Sequence, residues 1–190
     1  MMNSLMQNAL GADWEKLPAA LQAHYRAGSS TDVGQLDIEY PRFMQPVLFA
    51  LHRLGALVHR RGRGVRTVVE KGPAGQTQRW QRTMTYADGR QLRFDTRWIA
   101  AGGNQLIEFV NAVFGLQMAV HVEDGCLHYR GVRFVARLGG RLIPIPEWLL
   151  LGHTTIVEHA IDDGRFAMDF RLTHPLLGQI FRYAGVFETR

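Results

Sequence analysis

Cysteine is nearly absent. Cys126 is the only one in 190 residues, so no disulfide can form within the chain. A lone thiol suits a reducing compartment, and a cytoplasmic location is the expectation. Lysine is scarce too: of 22 basic residues only Lys16 and Lys71 are lysines, and the arginines are spread over nearly every segment. With a net charge of +5 and a pI near 9.9, a polyanion partner has to be weighed. The basic residues cluster only once, from His59 to Arg66. A solvated turn entering a strand accounts for that cluster better than a nucleic-acid site, which is not expected. The only serines are Ser4, Ser29 and Ser30, and no Gly-x-Ser-x-Gly occurs, so a serine nucleophile on a strand-to-helix elbow is excluded. No apolar run approaches the ~20 residues of a membrane span. Met1 to Lys16 lacks a basic start followed by an apolar core, so no signal peptide is expected.

What the chain has in quantity is alternation. Residues 4–26 read as one or two short helices, with Pro18 placed at a first helical turn where its missing N–H costs nothing. Gln35 to Tyr40 reads as a first strand, and Pro41 closes it. A helix then runs from Phe43 to Val58, broken by Gly62 and Gly64. From there strands follow regularly: Val65–Lys71 (bounded by the Gly72–Gly75 turn), Gln78–Tyr86, Leu92–Ile99, Leu116–Glu123, Cys126–Leu138, Thr154–Ile161, Phe166–Leu172 and Ile180–Glu188. Gln105–Val110 fits a strand or a helix. Asp88-Gly89, Asp124-Gly125 and Asp163-Gly164 are hairpin signals. Ile143-Pro144-Ile145-Pro146 cannot sit mid-sheet, since both prolines lack a donor, and is expected at an edge or as a lid. No helical crossovers separate the strands, which argues against a parallel sheet. The expected fold is a single mostly β domain over 1–190, an antiparallel barrel or strongly curved sheet of calycin-like form. A helical segment covers 1–30, the barrel-like body 34–188, and a helical insert follows the first strand.

Several stretches also carry a family resemblance. They are Leu17–His24, Trp80-Gln81-Arg82, Leu106-Ile107-Glu108, Gly125–Phe134, Ile143–Trp148, and Pro175–Gly178 with Tyr183 and Gly185. In order and spacing the chain resembles the bacterial domain-of-unknown-function 4166 family from about Leu10 to Phe187. The resemblance implies a soluble bacterial domain that occurs alone or as the tail of saccharopine-dehydrogenase-like oxidoreductases, so an oxidoreductase-like protein is a candidate partner. It brings no catalytic residues with it. The fused form's dinucleotide-binding half is not recognisable in this chain, which has no Gly-x-Gly-x-x-Gly after a strand.

The candidate site rests on one anomaly. In Trp80–Tyr86 the even positions are Trp80, Arg82, Met84 and Tyr86, a charge on an otherwise apolar face. Glu108 and Glu158 lie likewise between apolar neighbours two residues away. A buried arginine is either paired or present for a ligand. One reading is a structural pair of Arg82 with Glu108 or Glu158. The other is a ligand site of Trp80, Arg82, Met84, Glu108, Arg130 and Glu158 for a small apolar molecule with an acidic head group held by Arg82. Trp80, Met84, Phe94, Trp98, Met118, Phe166, Met168 and Phe170 would line such a cavity, or fill it as a solid core. Arg130 and His128 share one face of Cys126–Leu138 and Tyr129 the other, and both faces are mixed. His121 and His128 flank a hairpin, and His153 and His159 are six apart. Neither pair matches a zinc pattern, so no metal and no cofactor is expected. Cys126 reads as a packed residue. A binding module is preferred over an enzyme using Glu108 and Glu158 as acid and base. A partner-binding or structural accessory domain without a pocket is the alternative. Phe43–Val58 with its basic turn suits either a cap on the barrel mouth, which is preferred, or docking on anionic membrane.

Overall fold

The structure is a computed structural model that describes residues 3–73 and 77–190, together with the backbone alone at Ala74. Part of the expected Gly72–Gly75 turn, at Gly75, therefore lies outside the described residues.

Helix α1 (Leu5–Leu10), a 3-10 stretch (Gly11–Lys16) and α2 (Ala19–Tyr25) lead into β1 (Ser30–Glu39), and α3 (Gln45–Arg53) follows a short 3-10 turn. The remaining chain is β2 (Gly62–Ala74), β3 (Thr77–Thr85), β4 (Gln91–Gly102), β5 (Gln105–Phe109), β6 (Phe114–Glu123), β7 (Cys126–Leu138), β8 (Arg141–Ile145), α4 (Glu147–Leu150), β9 (His153–Ala160), β10 (Arg165–His174) and β11 (Gly178–Thr189). All pairs are antiparallel. The order runs β1 to β7 in sequence, then β9, β10, β11 and back to β1, so ten strands close a barrel. β7 is shared: Leu127–Arg130 pairs with β9, and Phe134–Leu138 pairs with β8, the proline-containing edge strand.

The expected fold is thus the observed one, with differences that have local causes. β1 begins at Ser30 and not at Gln35, because a buried ion pair lets Asp32 lie inside the barrel. Gln105–Phe109 is a strand. α3 ends at Arg53, well short of Val58 and of the glycines at 62 and 64. Gly55 takes φ +79° just past it, the left-handed conformation that terminates helices, and the Asn111 side chain donates to the Leu54 carbonyl at 2.5 Å.

The mixed faces of β7 have a simple origin. Met118 pairs with Gly131 but Gln117 pairs with Arg133, so Val132 is one extra residue. This bulge reverses the alternation. Leu127 and Tyr129 face inward before it and Phe134 after it.

The two ends of the barrel differ. α1, the 3-10 stretch and α2 close the end where β1 starts, with Met6, Leu10, Trp14, Leu17, Leu21 and Tyr25 merging into the barrel core. α3, α4, and the β5–β6 and β10–β11 turns surround the opposite end. On the first part of β4 the outer face is polar, with Arg93, Asp95 and Arg97 pointing out while Thr96 and Trp98 are buried. Ile107, Phe109 and Val135, however, form a second apolar cluster apart from the barrel core, with Ile99 and Ala101 packed against it. No helix among the described residues is long and apolar enough to cross a membrane.

Closure brings β1 and β11 very close. A Cβ on Gly185 would fall on the Gln35 carbonyl oxygen, and one on Gly34 on the Val186 carbonyl oxygen. Gly185→Ala is therefore expected to destabilise by about 1–3 kcal/mol, the range for overpacking. Gly164→Ala, in an exposed turn with open space, should change little. Urea unfolding of the two variants checks this; equal midpoints would refute it.

Candidate functional site

The interior has two storeys. The lower one, next to the N-terminal helices, is filled and contains charge. Lys71 Nζ lies 2.8 Å from Asp32 Oδ2 with both side chains fully buried, and His24 Nδ1 lies 2.9 Å from the same oxygen. Lys71 also donates to the His24 carbonyl, and Thr189 Oγ1 donates to Asp32 Oδ1 at 2.7 Å. Burial and the neighbouring ammonium hold His24 neutral, with its pKa lowered to about 4. Burial alone would raise the Asp32 carboxyl, but His24 and Lys71 bring it well below the usual range.

Beside this triad, Tyr129 donates to the Tyr25 hydroxyl, and Tyr25 donates to Glu158 Oε2 at 2.7 Å. Burial pushes Glu158 up to about 7, against the Tyr25 hydrogen bond and the charge of Lys71. The Trp80 ring has Lys71 Nζ within 5.0 Å and the Arg82 guanidinium within 5.2 Å, and lies 5.2 Å from the ring of Trp98.

Arg82 marks the boundary between the storeys. Its Nη1 donates to Thr96 Oγ1 at 2.9 Å and its Nη2 to Glu108 Oε1 at 3.0 Å, and both partners of the ion pair are only 11% and 12% exposed. Above it the barrel is open. A cavity of about 330 Å³ is walled by β4, β5, β6, β7, β10 and β11, and roofed by Val47 and Leu51 of α3, Leu54 just past it and Leu150 of α4. Its wall is almost wholly apolar, with Phe94, Leu116, Phe134, Phe170 and Leu172; among the described residues Glu108 is the only charged one lining it.

Of the six expected site residues, Trp80, Arg82, Met84, Glu108 and Glu158 are brought inside the barrel, in different roles. Arg82 pairs with Glu108. Glu158 belongs to the Tyr25–Tyr129 chain. Trp80 and Met84 are packed in the core. Arg130 is exposed on the outer wall, because Tyr129 takes the inward position beside it, and it does not border the cavity. Of the eight expected lining residues, Phe94 and Phe170 border the cavity; Trp80, Trp98, Met118 and Phe166 are buried below it, Met84 is buried nearer the hollow end than Arg82, and Met168 is partly buried against the core. Glu108 and Glu158 are not assembled as an acid–base couple facing one space, since Glu158 does not border the cavity. His121 and His128 stack across the β6–β7 ladder, 5.0 Å between ring centres. No cluster of three or more His, Cys, Asp and Glu suited to a metal ion occurs among the described residues.

The His24–Asp32–Lys71 triad was not anticipated. Its signal was present: Val65, Thr67, Val69 and Lys71 alternate on the inward face of β2, which puts one of only two lysines inside.

A second, open basin of about 520 Å³ adjoins α3 and is bordered by Tyr40, Arg42, Gln45, His59, Arg60 and Arg61. Arg61 lies over the Tyr40 ring and Arg60 over the Tyr86 ring, so the basic turn from His59 is held in place.

The chain is thus a closed ten-stranded barrel with a plugged end and a hollow end. It belongs to the family described as Domain of unknown function (DUF4166), whose model matches residues 17–187. No curated protein matches it significantly.

Two outcomes follow from the buried charges. Arg82→Ala should destabilise by about 3–5 kcal/mol, because it strands Glu108 in a nearly dry site. Urea denaturation measures this, and a loss under about 1 kcal/mol would show the pair to be inconsequential.

The second concerns pH. The His24 contribution to stability is full above pH 6.5, its ordinary pKa, and lost as pH falls through about 4. The Glu158 contribution has the opposite sign: full below 4.5 and lost as pH rises through about 7. Between 4.5 and 6.5 the two slopes cancel. Glu158→Gln keeps an acceptor for Tyr25 and removes one slope. The variant's stability should then rise with pH in that window by about 1.4 kcal/mol per unit relative to the parent. Parallel profiles of the two proteins would refute the assignment.

Proposed function

We propose that this protein binds one small apolar molecule in the cavity at the hollow end of the barrel. The observation that carries the reading is the cavity itself: about 330 Å³ of apolar space under a helical roof, in a barrel whose other half is packed solid. That volume lies at the lower end of the range for small-molecule sites. Its inner end meets Glu108, whose charge is already matched by Arg82. An ion pair with no spare charge gives little advantage to a carboxylate over a hydroxyl. An acidic head group on the ligand is therefore placed at the mouth, on the arginine side of α3, and the apolar part enters first.

Thermal unfolding with a fatty acid, the matching alcohol and the methyl ester tests this, since a ligand selective for the folded state raises the melting temperature by mass action. All three should stabilise the protein. Ala56→Phe, which adds bulk at the cavity wall, should abolish all three shifts. Glu108→Gln leaves Arg82 without its counter-charge and should favour the acid over the alcohol by about tenfold, the effect of roughly one charge-assisted hydrogen bond. If no member of an apolar panel shifts the transition at concentrations well above ~micromolar, the cavity has no such ligand and the reading falls.

A further inference from the structure

The hollow end carries a feature that ligand binding does not require. All but three of the sixteen exposed large apolar residues found among the described residues lie around this end; the exceptions are Val132, Ile161 and Val186. They come from separate segments. Phe43 and Phe49 belong to the α3 region, Trp148 and Leu149 to α4, and Leu176 and Leu177 to the β10–β11 turn, where Leu176 is 87% exposed. α3 buries Leu48 and roofs the cavity with Leu51, yet also presents Phe49 outward. A helix apolar on more than its inner face is normally covered by something. A one-ended patch of this extent marks an interaction surface.

The same end is basic. Arg42, Arg61, Arg63 and Arg141 are exposed, and none has a carboxylate within ion-pair distance among the described residues. Exposed aromatic and leucine tips flanked by unpaired arginines match a surface that is apolar within and negative at its face. We propose that the hollow end docks on an anionic phospholipid bilayer, with Trp148, Leu149, Leu176 and Leu177 entering the interface and the arginines meeting lipid phosphates. The cavity opens within this surface, so an apolar ligand would pass between bilayer and barrel without crossing water. The docking itself rests on the rim and holds whether or not the cavity is occupied.

The test uses the full chain with vesicles of phosphatidylcholine alone and of equal parts phosphatidylcholine and phosphatidylglycerol. Co-sedimentation is expected with the second and not the first, and raised salt should release the protein, since exposed charges are screened. Trp14, Trp80 and Trp98 are buried and Trp148 is exposed, so quenching by brominated acyl chains reports Trp148. That quenching is expected on anionic vesicles. Leu176→Asp with Leu177→Asp, or Arg42→Glu with Arg63→Glu, should weaken binding by about tenfold or more. Both pairs are exposed, and unchanged melting temperatures would show the fold intact. No binding, equal binding to neutral vesicles, or binding without quenching of Trp148 would overturn the proposal. So would a dimer in solution that shields Trp148 from aqueous iodide, which would assign the surface to a second copy of the chain.

Discussion

A closed ring of ten antiparallel strands encloses more space than a narrower barrel whose inward side chains meet across the axis. The rest of this structure is a response to that constraint. At one end the chain supplies extra material: α1, the 3-10 stretch and α2 press Leu21, His24 and Tyr25 into the opening. At the other the roof is thin and a cavity stays open. The glycines at 34 and 185 show how tightly the ring closes where β1 meets β11.

Filling the lower end with α2 has an electrostatic consequence. His24 sits at the end of that helix and faces Asp32 and Lys71 across the barrel. A buried ion pair of this kind is a weak source of net stability, but losing one partner is costly. It acts as a register device. α2 satisfies Lys71 only when the His24 carbonyl and ring reach it, and Glu158 is satisfied only when Tyr25 arrives one residue later. The plug is thus held in one position by groups that cannot remain unpaired.

Much of the architecture was legible in the sequence because it depends on alternation and turns. Trp80, Met84 and Tyr86 face inward as their spacing requires, and Asp124 and Gly125 both adopt positive φ at their hairpin. Arg82 was legible as a buried anomaly, and Glu108 as one of two candidate partners. What was not legible depends on parity and on depth. A single extra residue at Val132 exchanges the faces of β7, and no residue type there announces it. Depth along the axis is likewise absent from alternation, which separates inside from outside but not upper from lower. Hence the aromatic and methionine residues expected to line a cavity turned out mostly to fill the lower core, while the actual lining includes Leu116, Phe134 and Leu172. Asp32 and Lys71 are the residues a composition argument discards first, since charge is expected outside.

Capping and docking first stand as competing roles for the segment after β1. In the structure the inner face of this segment roofs the cavity, and its outer face is the one the proposed docking would use. α3 is short, ends at a glycine turn, and turns Leu48 and Leu51 inward while Phe49 remains outside. A roof with apolar residues on both sides has no strong preference for staying down once its outer face is covered by another apolar phase. Leu54 and Gly55 hold it through contacts with Asn111 and Val110 on the β5–β6 turn, which itself borders the cavity. The hydrogen bond from Asn111 to the Leu54 carbonyl is therefore a link between the roof and the wall.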